Sequence, residues 1–257
     1  MTDQPEVRLS YPSDENDKLH QLEVLFEDWK TLFSKNNHVQ NYSAEDMVTD
    51  GFYPYYFSQK VKILYIGREA RGISGCNYID ILFNAYKEKR VGGQHINSVF
   101  FHKRMLYITF GIMHDFPKWG DIPYADQIVE TFGTAEGISF AFMNISKFSN
   151  EKVEFQSDWN LINDSILNSS NESRNLIREE IEILEPDLII TMNFDGLLKN
   201  LGEMRFEKYS DRYNTYVMNL KGKNALVINS SHFTAMGLND ETDFYEPIKD
   251  AYCRFKK

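Results

Sequence analysis

The chain is predicted to be an α/β protein with three α/β/α layers around a central, mainly parallel four-stranded sheet, and three observations carry that prediction. Four short apolar runs, VKILYI (61–66), ISFAFMNI (138–145), DLIITM (187–192) and ALVIN (225–229), give way to polar residues or glycine, as strands buried on both faces do. Segments whose apolar residues recur at helical spacing lie between them. No repeat, linker or low-complexity stretch divides the 257 residues, so one domain spanning 1–257 is expected.

The elements follow in order. Residues 1–16 are polar and read as a loose arm, and 17–57 as an N-terminal helical cover. From Lys18, the residues Leu19, Leu22, Leu25, Phe26, Trp29, Leu32 and Phe33 share a helical face, with Asp17 placed to cap it. FYPYYF (52–57) is a proline-broken aromatic connector lying over the core. After the first strand, Tyr78, Ile79, Leu82, Phe83 and Tyr86 fall on one helical face, and 99–114 forms a second helix. SRNLIREEIEIL (173–184) is helical until Pro186 forbids continuation. DGLLKNLG (195–202) reads as a short helix capped by Asp195 and closed by Gly202. TYVMNL, KGKN and ALVIN form a hairpin whose second arm is the fourth strand. Phe244, Tyr245, Ile248, Tyr252 and Phe255 place a closing helix on the tail from Thr242.

Composition narrows the function classes. At 42% apolar and 14% aromatic the chain buries a continuous core, which excludes disorder. No apolar run approaches the ~18 residues of a membrane span, and the N-terminus lacks a secretory signal, so a soluble, cytoplasmic protein without membrane contact is expected. Cys76 and Cys253 are far apart and have no ligand spacing, so neither a disulfide framework nor a metal or iron–sulfur site is expected. A net charge of −10 argues against coating nucleic acid through a global positive field. The charge is uneven, however: residues 60–104 hold nine Lys and Arg against three acids, a basic island suited to local phosphate contact. For the KEKR stretch (87–90) alone, a solvated charged face is the simpler reading.

Parallel sheets carry their sites at the carboxyl ends of the strands, and three polar clusters stand there. GREARG (67–72) turns out of the first strand, Asn144 closes the second, and SSHFTAMG (230–237) follows the fourth. Ile73 occupies the place of the lysine a phosphate-binding P-loop requires, and Gly67, Gly72 and Gly75 miss the dinucleotide fingerprint, so neither ligand is expected. Singly, Glu69 reads as an ion-pair partner, Asn144 as a cap and His232 as a structural histidine. Their joint placement at strand ends favours one shared crevice. Lys147, three residues past Asn144, reads as a solvated surface lysine, which argues against Schiff-base chemistry.

A strand ending in a glycine-led loop, a middle strand ending in Asn, a helix running into Pro-Asp-Leu-Ile-Ile, and a last strand running into His-x-Thr together resemble the uracil-DNA glycosylase superfamily across residues 50–237. The resemblance implies that fold and a metal-free, cofactor-free hydrolase of DNA N-glycosidic bonds of the base-excision repair kind, monomeric, with a flipped pyrimidine as its ligand. It also implies residue roles. Glu69 would hold and activate the water, and His232 would donate to the departing base. Asn144, with Gly67 and Tyr78, would recognise the base. Arg68, Arg71, Lys103, Arg104, Ser231 and Thr234 would contact DNA, and Met236 or Leu238 would fill the gap left by the extruded base. Ala70 and Phe233 stand where that family has proline, and Arg71 where it has glycine or tyrosine, so the implied substrate is uracil or another modified pyrimidine. A base-recognition module that has lost turnover, and a hydrolase of free nucleosides or nucleotides, are the alternatives.

Overall fold

The computed structural model describes residues 9–35, 39, 41–152 and 156–256. Among them the strands are β1 (Gly51–Phe52), β2 (Ile63–Gly67), β3 (Arg90–Val91), β4 (Gln94–His95), β5 (Ala141–Asn144), β6 (Leu188–Met192), β7 (Arg205–Tyr209), β8 (Tyr213–Leu220) and β9 (Lys223–Ser230). The α-helices are α1 (Asn16–Lys35), α2 (Tyr78–Lys87), α3 (Phe100–Met113), α4 (Ala125–Ile128), α5 (Trp159–Leu167), α6 (Leu176–Leu184) and α7 (Glu246–Phe255). None of the described helices is long and apolar enough to cross a membrane.

Each of the four apolar runs contains a strand, and these run parallel to one another in the order β5, β2, β6, β9. The sheet has seven strands rather than the four expected, because β1 adds antiparallel to β5 at one edge, and β8 then β7 add antiparallel beyond β9 at the other. Both edges are unwelcoming. β1 is two residues long, the Phe52 carbonyl accepts from Tyr11 Oη at 2.8 Å, and α1 closes over it. β7 is largely exposed, carries Arg205, Glu207 and Lys208, and breaks register between Phe206 and Lys208.

Successive residues of a strand face opposite ways, and the two faces of this sheet are both apolar. Ile63, Tyr65 and Phe142 pack with α2, α3 and α7, whereas Leu64, Ile66 and Met143 pack with α1, α5 and α6. Helices on both faces are compatible with a three-layer arrangement. Each fully buried Leu, Ile or Phe contributes roughly 1.5–3 kcal/mol, so these two cores dominate the stability of the fold.

Local chemistry sets the helix ends. Asn77 caps α2, its Oδ1 accepting from Ile79 N at 2.8 Å and Asp80 N at 3.2 Å. Asp158 caps α5 and Asn175 caps α6, while α6 stops at Glu185, whose φ of 47° reverses the chain before Pro186. Three expectations need correction. The described part of the N-terminal arm is not loose: the fully buried Glu15 carboxylate accepts from Tyr55 N at 3.0 Å and Phe57 N at 2.9 Å. FYPYYF is only partly a connector, because Phe52 pairs with Ala141 in β1. Asp195 caps no helix; it accepts from Asn229 Nδ2 at 2.7 Å, and only a 3-10 turn, Leu198–Leu201, forms before Gly202.

Candidate functional site

The carboxyl ends of β2, β5, β6 and β9 meet in register, with Gly67 beside Asn144 and Met192 beside Ser230. Two strand spacings separate the end of β2 from that of β9, about 10 Å, and the side chains of the following loops fill that gap.

Gly67 is required by proximity. A Cβ there would lie 2.6 Å from Asn144 Oδ1 and 2.9 Å from Phe142 Cζ. The Asn144 amide oxygen therefore packs against bare backbone. Only 2% of Asn144 is exposed, its backbone N donates to Asp50 Oδ2 at 2.7 Å, and its Nδ2 is buried with no hydrogen-bond partner among the described residues. An unmade bond of that kind costs about 1–3 kcal/mol, which a ligand oxygen would recover. Phe142, two residues earlier and on the same face, stacks on Tyr78 with centroids 4.5 Å apart and planes 12° apart. Phe101 of α3 meets Phe142 edge-on at 6.0 Å and His232 at 6.1 Å, and so bridges the middle strand end and the last loop.

His232 Nδ1 accepts the backbone N–H of Thr234 at 3.3 Å and lies 2.7 Å from Thr234 Oγ1. The neutral ring then carries its proton on Nε2, as a donor. Burial first, and the Arg68 guanidinium second, push the imidazole down to about 4, so the ring is neutral at physiological pH. Arg68 itself donates to Asn193 O at 2.9 Å and Ser157 Oγ at 3.3 Å, and lies over the exposed Trp159 ring at 4.9 Å. Glu69 reaches the other way. Its half-buried carboxylate accepts from Asp158 N at 3.3 Å and from the Asn150 and Ser157 side chains. Burial holds Glu69 above the usual carboxylate range even though these hydrogen bonds and Arg68 pull it down. Arg68 is thus near enough to both Glu69 and His232 to act on each.

The other expected residues divide. Ser231 lines a polar groove of about 390 Å³ beside His232, shared with Asn193, Asn229 and Ser230. Thr234 is exposed and engaged with His232, and Met236, 86% exposed, projects from the same loop. Arg71 ties down the neighbouring segment, donating to Lys152 O at 2.9 Å and Gln156 O at 3.2 Å. Arg104 is corrected. It is 1% exposed and donates to Asp240 Oδ1 and to the carbonyls of Phe233, Ala235 and Leu238 at 2.7–3.1 Å, bracing the histidine loop from below where no phosphate reaches it. Lys103 pairs with Asp240 at 2.6 Å. Lys147 is also corrected. It is wholly buried between Asp50 and Glu180, not solvated.

The basic island is therefore largely compensated within the molecule. Lys60 pairs with Asp115, Lys62 with Glu185 and Lys89 with Glu130, while Lys87 and Arg90 donate to the carbonyls of Phe132 and Gly93. Phe101, Phe142, Asn150, Trp159 and Asn193 join the site without having been expected. Of these only Phe142 left a signal, sharing a strand face with Asn144. Among the described residues no cluster of three or more His, Cys, Asp or Glu is placed to hold a metal ion. Compared with protein-family models, curated proteins and solved structures, the chain finds no match.

Proposed function

We propose that the protein is a DNA glycosylase of the uracil-DNA glycosylase type, hydrolysing the N-glycosidic bond of uracil or another modified pyrimidine. The observation that carries this reading is the Asn144 amide, buried against Gly67 with an unpartnered Nδ2 donor, on the strand face of Phe142, whose ring Phe101 links to a neutral His232. Such a donor fits a carbonyl oxygen on the polar edge of a flat base. Breaking the C–N bond leaves the bonding electron pair on the base and positive charge on the sugar. Water then bonds to the sugar carbon while its proton passes to Glu69, which burial makes a stronger proton acceptor than a free carboxylate. His232 Nε2–H donates to the base oxygen as negative charge develops there. A neutral donor suits this, because it stabilises the anion without having to protonate it. Met236, on the exposed lip, fits a wedge for the vacated stack.

The decisive assay is base release from oligonucleotides carrying a panel of modified pyrimidines. Wild type should cleave at least one, and Glu69→Gln should be slower by about 10²- to 10⁴-fold on it. Equal rates for the two proteins, or no release by wild type from any member, would remove this assignment. A second reading, hydrolysis of free nucleosides or nucleotides, is favoured by the net charge of −10 and by the internal pairing of the island cations. Release from free nucleosides without detectable DNA binding would select it.

A further inference from the structure

Behind the site lies an ion cluster that the glycosylase chemistry does not use. Residues 141–150 are buried without interruption, with Asn144 near the start of the segment and Asn150 at its end. Asn150 N donates to Ala70 O at 2.8 Å, and the Asn150 side chain holds Glu69. Lys147 stands midway. Its Nζ is 2.6 Å from Asp50 Oδ1 and 2.8 Å from Glu180 Oε2, all three side chains are fully buried, and the ammonium faces the rings of Trp29 at 5.2 Å and Phe26 at 5.4 Å. The second Asp50 oxygen, Oδ2, is the acceptor for Asn144 N at 2.7 Å. Lys147 is also held by its backbone, with N donating to Ser165 Oγ at 3.0 Å and O accepting from Val48 N at 2.8 Å.

Stability alone does not account for such a cluster. Desolvating the charges offsets their attraction, and buried ion clusters are often replaced by apolar residues at no loss of stability. What apolar residues would not supply is a fixed acceptor for Asn144 N and a fixed point for the segment that ends at Asn150. We propose that Lys147, acting through Asp50, is a positioning residue that holds Asn144 and the Asn150–Glu69 hydrogen bond in one register, so that the two ends of the site move as a unit. Burial and the adjoining Asp50 push the Glu180 carboxyl well up, while Lys147 pulls it down. The roles of Asn144 and Glu69 in base recognition and water activation rest on the glycosylase reading; the coupling between them does not.

The test therefore reads the coupling directly, by backbone amide hydrogen exchange on the full chain. Lys147→Met alone strands Asp50 as an unpaired buried ion, so the working variant is the neutral triple Asp50→Asn, Lys147→Met, Glu180→Gln. Exchange at Asn144 and Asn150 should accelerate about tenfold or more in the folded triple variant while Ile190, in the middle of β6, is unmoved. Glu180→Gln by itself, which preserves shape and leaves the Lys147–Asp50 pair in place, should leave all three amides as in wild type. Unchanged exchange at Asn144 and Asn150, or equal acceleration at Ile190, overturns the proposal. Activity gives a second readout, because the triple variant should lose kcat and discriminate less between two pyrimidine substrates. Wild-type failure to release any base would remove the glycosylase reading and leave the exchange result to decide the coupling.

Discussion

Asn144, Glu69 and His232 were legible in the sequence because each is a polar residue at the end of a buried strand or two residues past it, where an apolar run has no structural need of one. Their surroundings were not, since Phe101 and Asp50 reach the site only through space. Arg104 and Lys147 were misjudged for a related reason: a long cationic side chain is read as solvated unless its partners are known, and Asp240, Asp50 and Glu180 come from distant segments. The field at His232 gives a test at this scale. The pKa of its ring should titrate near 4 by NMR, and Arg68→Met should move it upward towards 6.5 by removing the second of its two causes. A ring unmoved in Arg68→Met would show that the guanidinium does not act on it. The sign for stability follows from the same shift. Between pH 6.5 and about 4 the unfolded chain binds a proton at this position that the folded chain does not, so this residue lowers stability as pH falls through that window and contributes nothing above it. His102, pushed to about 3 by burial beneath Tyr86, acts in the same sense over a wider range.

Among the elements, the four parallel strands were evident because a compact apolar run of that length admits few other buried structures. α5 was not, because Asn160, Asn163, Asp164 and Ser165 interrupt its apolar residues and resemble a loop, leaving Leu161 and Ile162 to anchor it. β7 lacked a signal for the opposite reason: it is exposed along most of its length, so nothing selects an alternating pattern. α3 was expected as a helix, but its role as support for the histidine loop was hidden in Arg104. Replacing that residue by Met leaves Asp240 Oδ1 and three carbonyls without their Arg104 donor, though Lys103 still pairs with Asp240 Oδ2, and should lower unfolding free energy by about 3–5 kcal/mol in chemical denaturation. A loss below about 1 kcal/mol, the range of an exposed pair, would mean that the guanidinium is not the brace described.

For the molecule as a whole, the pairing of the island cations would limit how a glycosylase of the proposed kind holds DNA. Of the DNA-contacting residues expected from sequence, Lys103 and Arg104 are committed to Asp240. Binding to an oligonucleotide should therefore weaken only gently with salt, with log K against log salt no steeper than about −3, the slope for some three phosphate contacts. A slope near −6 would instead require the internal pairs to open on binding. The margins of the sheet carry a consequence of another kind. An extended segment from a neighbouring chain, arriving at Gly51–Phe52, meets a carbonyl already satisfied by Tyr11 and the wall of α1; arriving at Arg205–Tyr209, it meets fixed charges and a kinked ladder. Neither flank offers the long, flat, unpaired ribbon on which amyloid-like stacking is templated, so crowding at high concentration should not recruit this fold into fibres.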